Sequence, residues 1–128
     1  MSQKYLPSFV QYLEGIVNQL NAKFPTEKDL SMVQSGISGL KLAKQYNTIA
    51  SKYRETIYPY SEQIEKRDEK YFLETDFSNG DKEISFKADH IKQLLNTGEL
   101  SDDDKSAIWK TLILLNRLMT KMIESGEI

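Results

Sequence analysis

The feature that most constrains this chain is a row of apolar side chains near its start. Leu6, Phe9, Val10, Leu13, Ile16, Val17, Leu20 and Phe24 recur at steps of three and four. A helix turns once in about 3.6 residues, so these steps set all eight on one side of it. Such a side is stable only when other elements cover it. Pro7 suits the first turn, where a missing N–H costs nothing, and Pro25 ends the helix near Phe24.

The rest of the chain reads as the covering elements. A second helix starts at Thr26, with Asp29 three residues on as a shortened capping box, and its stripe is Leu30, Val33, Ile37 and Leu40. Gly36 and Gly39 lie inside it at about 1 kcal/mol each relative to alanine, which predicts a close neighbour or a local break. Asn47 is read as the cap of a third helix with Ile49, Ala50, Tyr53 and Ile57 inward. Pro59 ends or kinks that helix around Tyr58. A short helix from Ser61 carries Ile64, and Asp68 caps a further turn holding Phe72, Leu73 and Phe77.

Ser78-Asn79-Gly80-Asp81 is the strongest turn signal. A helix from about Ser85 to Leu95 follows, with Phe86 at its entrance and Asn96-Thr97-Gly98 at its end. Ser101 and Asp104 form another capping box for a last helix over 102–124. That helix is too apolar for one stripe, which predicts a central position. Only Glu83–Phe86 hints weakly at a strand, and no repeat is present. The expected fold is one all-α domain spanning 1–128, a compact bundle of five to seven short helices around the apolar C-terminal one.

Absence of cysteine excludes disulfides, thiolate ligands and cysteine nucleophiles. The start Met1–Tyr5 has no long apolar stretch, and no window approaches the ~18 apolar residues of a membrane span. A cytosolic protein without a membrane association is the expectation.

The constellations that carry chemistry fail one by one. Gly36-Ile37-Ser38-Gly39 has the wrong glycine spacing for a nucleophile elbow, and no strand precedes it. His90 is the only histidine, so the usual zinc set cannot form. Asp76–Asp81 starts like a calcium loop, but Gly80 stands at the fifth position and Lys87 replaces the bidentate acid. Asp102, Asp103 and Asp104 read as helix capping. Glu62, Glu65, Asp68 and Glu69 alternate with Lys66, Arg67 and Lys70, as on an ion-paired outer face. No catalytic, cofactor-binding or metal-ligating residue is expected.

Two surfaces remain. Tyr58-Pro59-Tyr60, taken with Tyr71, suits either a partner site or the outer layer of a core beside a kink. Lys41, Lys44, Lys52 and Arg54, with Tyr46 and Tyr53, form the best basic and aromatic patch for nucleic acid. Charge is uneven: residues 1–60 hold seven Lys/Arg against four Asp/Glu, and residues 61–128 hold ten against fifteen. That polarity can orient a partner or a second copy, or be plain scatter.

The ordered set Phe24-Pro25 with Glu27, Asp29 and Leu30, then Tyr58-Pro59-Tyr60 with Gln63-Ile64, Arg67-Asp68-Glu69, Phe72-Leu73, Asp76-Phe77 and Leu100-Ser101 with Lys105, Ile108 and Trp109 resembles a known group. It is that of small uncharacterised all-helical proteins of large nucleocytoplasmic DNA viruses. The likeness runs from about Phe9 to Met122, with Tyr71 and Phe77 standing where the group has Phe and Tyr. The resemblance implies a viral protein of the host cytoplasm or the virion, and it carries no catalytic residues across. The reading that follows is a non-enzymatic interaction or assembly module that binds another protein or itself. The alternative is a nucleic-acid-associated accessory factor using the patch around residues 41–54.

Overall fold

The computed structural model describes residues 4–25, 28–75, 88–96 and 98–128, with Asp29 and residues 88–90 described by backbone alone. Among the described residues there are seven α-helices and no strand: α1 (Leu6–Lys23), α2 (Lys28–Leu42), α3 (Tyr46–Thr56), α4 (Ser61–Glu65), α5 (Glu69–Glu74), α6 (Ala88–Asn96) and α7 (Asp102–Ser125). A single 3-10 turn, Tyr58–Tyr60, joins α3 to α4. The expected all-α bundle is therefore present.

Helices α1 and α7 form its antiparallel axis. All eight residues of the opening row are buried, and each covered Leu, Ile or Phe contributes roughly 1.5–3 kcal/mol. The two helices are pinned at both ends. The Tyr5 N–H donates to Glu127 Oε1 at 2.9 Å, and Lys23 Nζ donates to Asp104 Oδ2 at 2.5 Å. Helix α7 starts at the expected capping box, with the Asp104 N–H on Ser101 Oγ and the Ser101 N–H on Asp104 Oδ2, both at 3.1 Å. It stops where Gly126 takes φ of 77°, a left-handed conformation glycine adopts without strain.

Helices α3, α4 and α5 meet α7 along its length. Tyr53 of α3 reaches Asn116, Arg117 pairs with Glu65 of α4, and Lys105 pairs with Glu69 of α5 at 2.8 Å. The central role expected of the last helix is what the packing shows. Helix α2 lies instead on the outer side of α1, also touching α3. A polar ladder follows the α1–α2 seam: Asn21 Nδ2 donates to Gln34 Oε1, Gln34 Nε2 to Asn18 Oδ1, and Lys41 Nζ to Glu14 Oε1.

The joint between α2 and α3 corrects one expectation. The Lys44 N–H bonds the Lys41 carbonyl at 3.0 Å, and the Gln45 N–H bonds the Leu40 carbonyl at 2.7 Å. This is a Schellman turn, with Lys44 at φ of 57° where glycine is usual. The turn delivers the chain straight into α3, so Gln45 is the N-cap and Asn47 falls inside the first turn. Helix α4 closes the same way, with Arg67 at φ of 52°. Thr26, Phe77, the Ser78–Asp81 turn, the calcium-like Asp76–Asp81, the Glu83–Phe86 strand, Ser85, Phe86, Thr97 and the His90 side chain lie outside the described residues.

Candidate functional site

The Tyr58–Tyr60 turn forms because Pro59 lacks an N–H and forbids another α turn at that point. Its tyrosines are half-buried and engaged with the fold. Tyr58 Oη shares a 2.7 Å hydrogen bond with Thr120 Oγ1 of α7. The Tyr60 ring lies 6.3 Å from Tyr71 and 6.1 Å from Phe72, between centroids. Tyr71 meets Phe72 edge to face at 5.5 Å, and Phe72 lies 5.7 Å from Trp109. Tyr60, Tyr71, Phe72 and Trp109 are thus one aromatic layer that fastens α5 to α7. Of the four residues expected to meet a partner, Tyr58, Tyr60 and Tyr71 serve this packing, and Pro59 alone is exposed.

The four basic residues do not share one face. Lys41 turns toward α1, where its hydrogen bond to the Glu14 carboxylate raises its pKa. Lys44 is exposed in the turn that follows α2. Lys52 and Arg54 are both on α3, but two positions apart on a helix is about 160° around the axis. They flank the buried stripe of Ile49, Ala50 and Tyr53 from opposite sides.

The buried polar groups hold the bundle together. Tyr53 Oη donates to Asn116 Oδ1 at 2.6 Å inside the core, and burial pushes the phenol well above its ordinary pKa. Among the described residues, Asn116 Nδ2 has no hydrogen-bond partner there. Asp104 is held below the usual carboxylate range by Lys23, then by Ser101, and Lys105 is raised by Glu69. Each of these groups closes a contact between two helices. Among the described residues, no group of three or more His, Asp or Glu could hold a metal ion. No helix among them is long and apolar enough to cross a membrane.

The surface that stands out is one the sequence reading passed over. Leu30, Val33 and Ile37 turn α2 toward α1, yet Met32 and Leu42 on its other side are 48% and 87% exposed. Large apolar side chains at Tyr12 and Leu114 are also exposed, singly and on other helices. On α2 the two share one line with Lys28, Ser35 and Gly39, at steps of four and three. Around Gly39, open space lies where a Cβ would stand, with no atom within 4 Å. Among the described residues, none supplies the neighbour that Gly39 led one to expect. The available signal was Met32 and Leu42 themselves, apolar residues opposite the stripe. Compared with protein-family models, with curated proteins and with solved structures, the chain matches none.

Proposed function

We propose that this chain is a non-enzymatic interaction module whose contact surface is the outward face of α2. The observation that carries the reading is the exposure of Leu42 and Met32 opposite the buried stripe of their own helix. Two large apolar side chains exposed on one line of a helix, rather than singly, mark it as a candidate binding face. Further support comes from Lys23–Asp104 and Lys105–Glu69, ionisable pairs that join helices rather than converge on a cleft. The sequence resemblance to small helical proteins of large DNA viruses suggests the setting, a viral assembly or regulatory complex in the host cytoplasm or the virion.

Affinity capture with the wild-type chain, against a Met32→Glu/Leu42→Glu double variant, tests this. Both positions are exposed, so the variant should fold as the wild type does, within about 0.5 kcal/mol per site. The expected outcome is a partner, or a second copy, retained by the wild type and lost by the variant. Equal recovery by both chains, or a wild type that binds neither a partner nor itself, refutes the proposal.

A further inference from the structure

Asn116 is the one polar residue among the described residues that lies in the core, at 4% exposure. Its Oδ1 accepts from the buried Tyr53 hydroxyl at 2.6 Å, and its Nδ2 finds no partner among the described residues. A leucine at 116 would leave no such atom, and a phenylalanine at 53 would need no acceptor. An orphaned N–H in the core lowers stability, so stability does not explain the pair. A second contact lies one turn along α7. The Thr120 hydroxyl donates to the Asn116 carbonyl at 3.1 Å, which spends its only hydrogen. Tyr58 Oη is therefore the donor in the 2.7 Å bond to Thr120 Oγ1. That second contact is half-buried, where water can replace a lost partner, whereas Tyr53 and Asn116 are sealed.

Apolar packing alone leaves α7 a choice of seat. Ile108, Leu112, Leu115, Met119 and Met122 are buried, and Ile113, Leu118 and Ile123 pack beside them. A slide of one turn toward its own N-terminus would set Leu112 where Ile108 sits, Met119 where Leu115 sits and Ile123 where Met119 sits. Each exchange is apolar for apolar. The ion pairs Lys23–Asp104 and Arg117–Glu65 are solvent-accessible and oppose such a slide weakly. Asn116 is different: the slide would carry it into the place of Leu112 and part it from the Tyr53 hydroxyl, leaving both groups buried without each other. We propose that the Tyr53–Asn116 pair is a register key, a contact that lowers stability and admits one seating of α7 on α3. A lone polar residue in an apolar helical seam has this effect in coiled coils, where it fixes register at the expense of stability. The inference concerns the interior and is independent of the outward face of α2.

The only tryptophan lies on α7 itself, 5.7 Å from Phe72, so each seating of the helix gives its own indole N–H resonance. The wild type should show one sharp indole signal. In Tyr53→Phe/Asn116→Leu the key is gone and apolar groups fill both places. That variant should have a urea midpoint at or above that of Tyr53→Phe, yet show two or more indole signals, or one broadened by exchange. Tyr53→Leu/Asn116→Leu fills the same places with another shape and should split the signal too. Thr120→Val removes the partner of Tyr58 and leaves the key intact, so it should keep one sharp signal. A single sharp signal in either apolar pair, when folded, overturns the proposal. Splitting in Thr120→Val overturns it as well, because the heterogeneity would then be plain loosening of α3 from α7. If both apolar pairs unfold, or fall below Tyr53→Phe in midpoint, the contact is a source of stability and the register key is refuted.

Discussion

Helices α7 and α2 both bury apolar side chains, and they differ in what they turn outward. The outward row of α7 is Lys110, Leu114, Arg117 and Lys121, a solvated row in which Arg117 pairs with Glu65. The outward row of α2 holds one charge, Lys28, with Met32, Ser35, Gly39 and Leu42. Around the rest of its circumference α7 meets α1, α3, α4 and α5, while α2 rests on α1 and α3 and keeps Met32 and Leu42 exposed on its far side. The difference teaches where the fold is finished. The α7 side packs against four helices and turns a mostly charged row outward, and the α2 side presents Met32 and Leu42, which the described residues leave exposed.

The sharpest contrast comes from truncating one side chain on each side of the molecule. Phe72 is fully buried between Tyr60, Tyr71 and Trp109, so Phe72→Ala should cost about 3–5 kcal/mol by urea unfolding. Leu42→Ala should change stability by less than about 0.5 kcal/mol. Comparable losses at the two positions would break the distinction between a closed and an open side.

The next effect tests whether α3 is locked to α7 by a polar contact. Tyr53→Phe leaves Asn116 Oδ1 buried and unbonded beside its unpartnered Nδ2, and should cost about 1–3 kcal/mol. Adding Asn116→Leu removes both orphaned atoms and should restore much of that loss, a coupling that a double-mutant cycle measures. Additive losses would mean the pair acts as two independent packing residues.

The smallest effect concerns the end of the α1–α7 axis. The Asp104 carboxyl is held below its ordinary value of 3.8 by Lys23 and Ser101. A carboxyl depressed in the folded state adds stability that is fully present above 3.8 and is lost as pH falls through the lower folded value. Wild type should therefore exceed Asp104→Asn in urea midpoint near neutrality, and the gap should narrow below pH 3.8. Because the pair is solvent-accessible, added salt should shrink the gap as well. A constant gap across pH would assign the effect to helix capping alone.

Much of the scaffold was legible because a buried helix face writes itself at steps of three and four. The row from Leu6 to Phe24, the inward Ile49, Ala50, Tyr53 and Ile57, and the Ser101–Asp104 box all follow from local rules. Asn47 misled because caps are chosen by the chain path, and the Schellman turn at Lys44 had already placed the start of α3 two residues earlier. The tyrosines were visible but their engagement was not, since nothing local tells Tyr58 that Thr120 lies across from it. The α2 surface was hardest to see. An off-stripe Leu42 looks like noise until the helix it sits on is placed and its other side is found bare.

The position of Trp109 decides what can be watched with light. It is the only tryptophan, it is 5% exposed, and it stacks near Phe72 with Tyr60 and Tyr71 one ring further out. Its emission should be that of an indole away from water, fed by excitation of the nearby phenols, and should shift to the red when α5 leaves α7. A change in that emission therefore reports on the α5–α7 side of the bundle, where Trp109 lies 5.7 Å from Phe72.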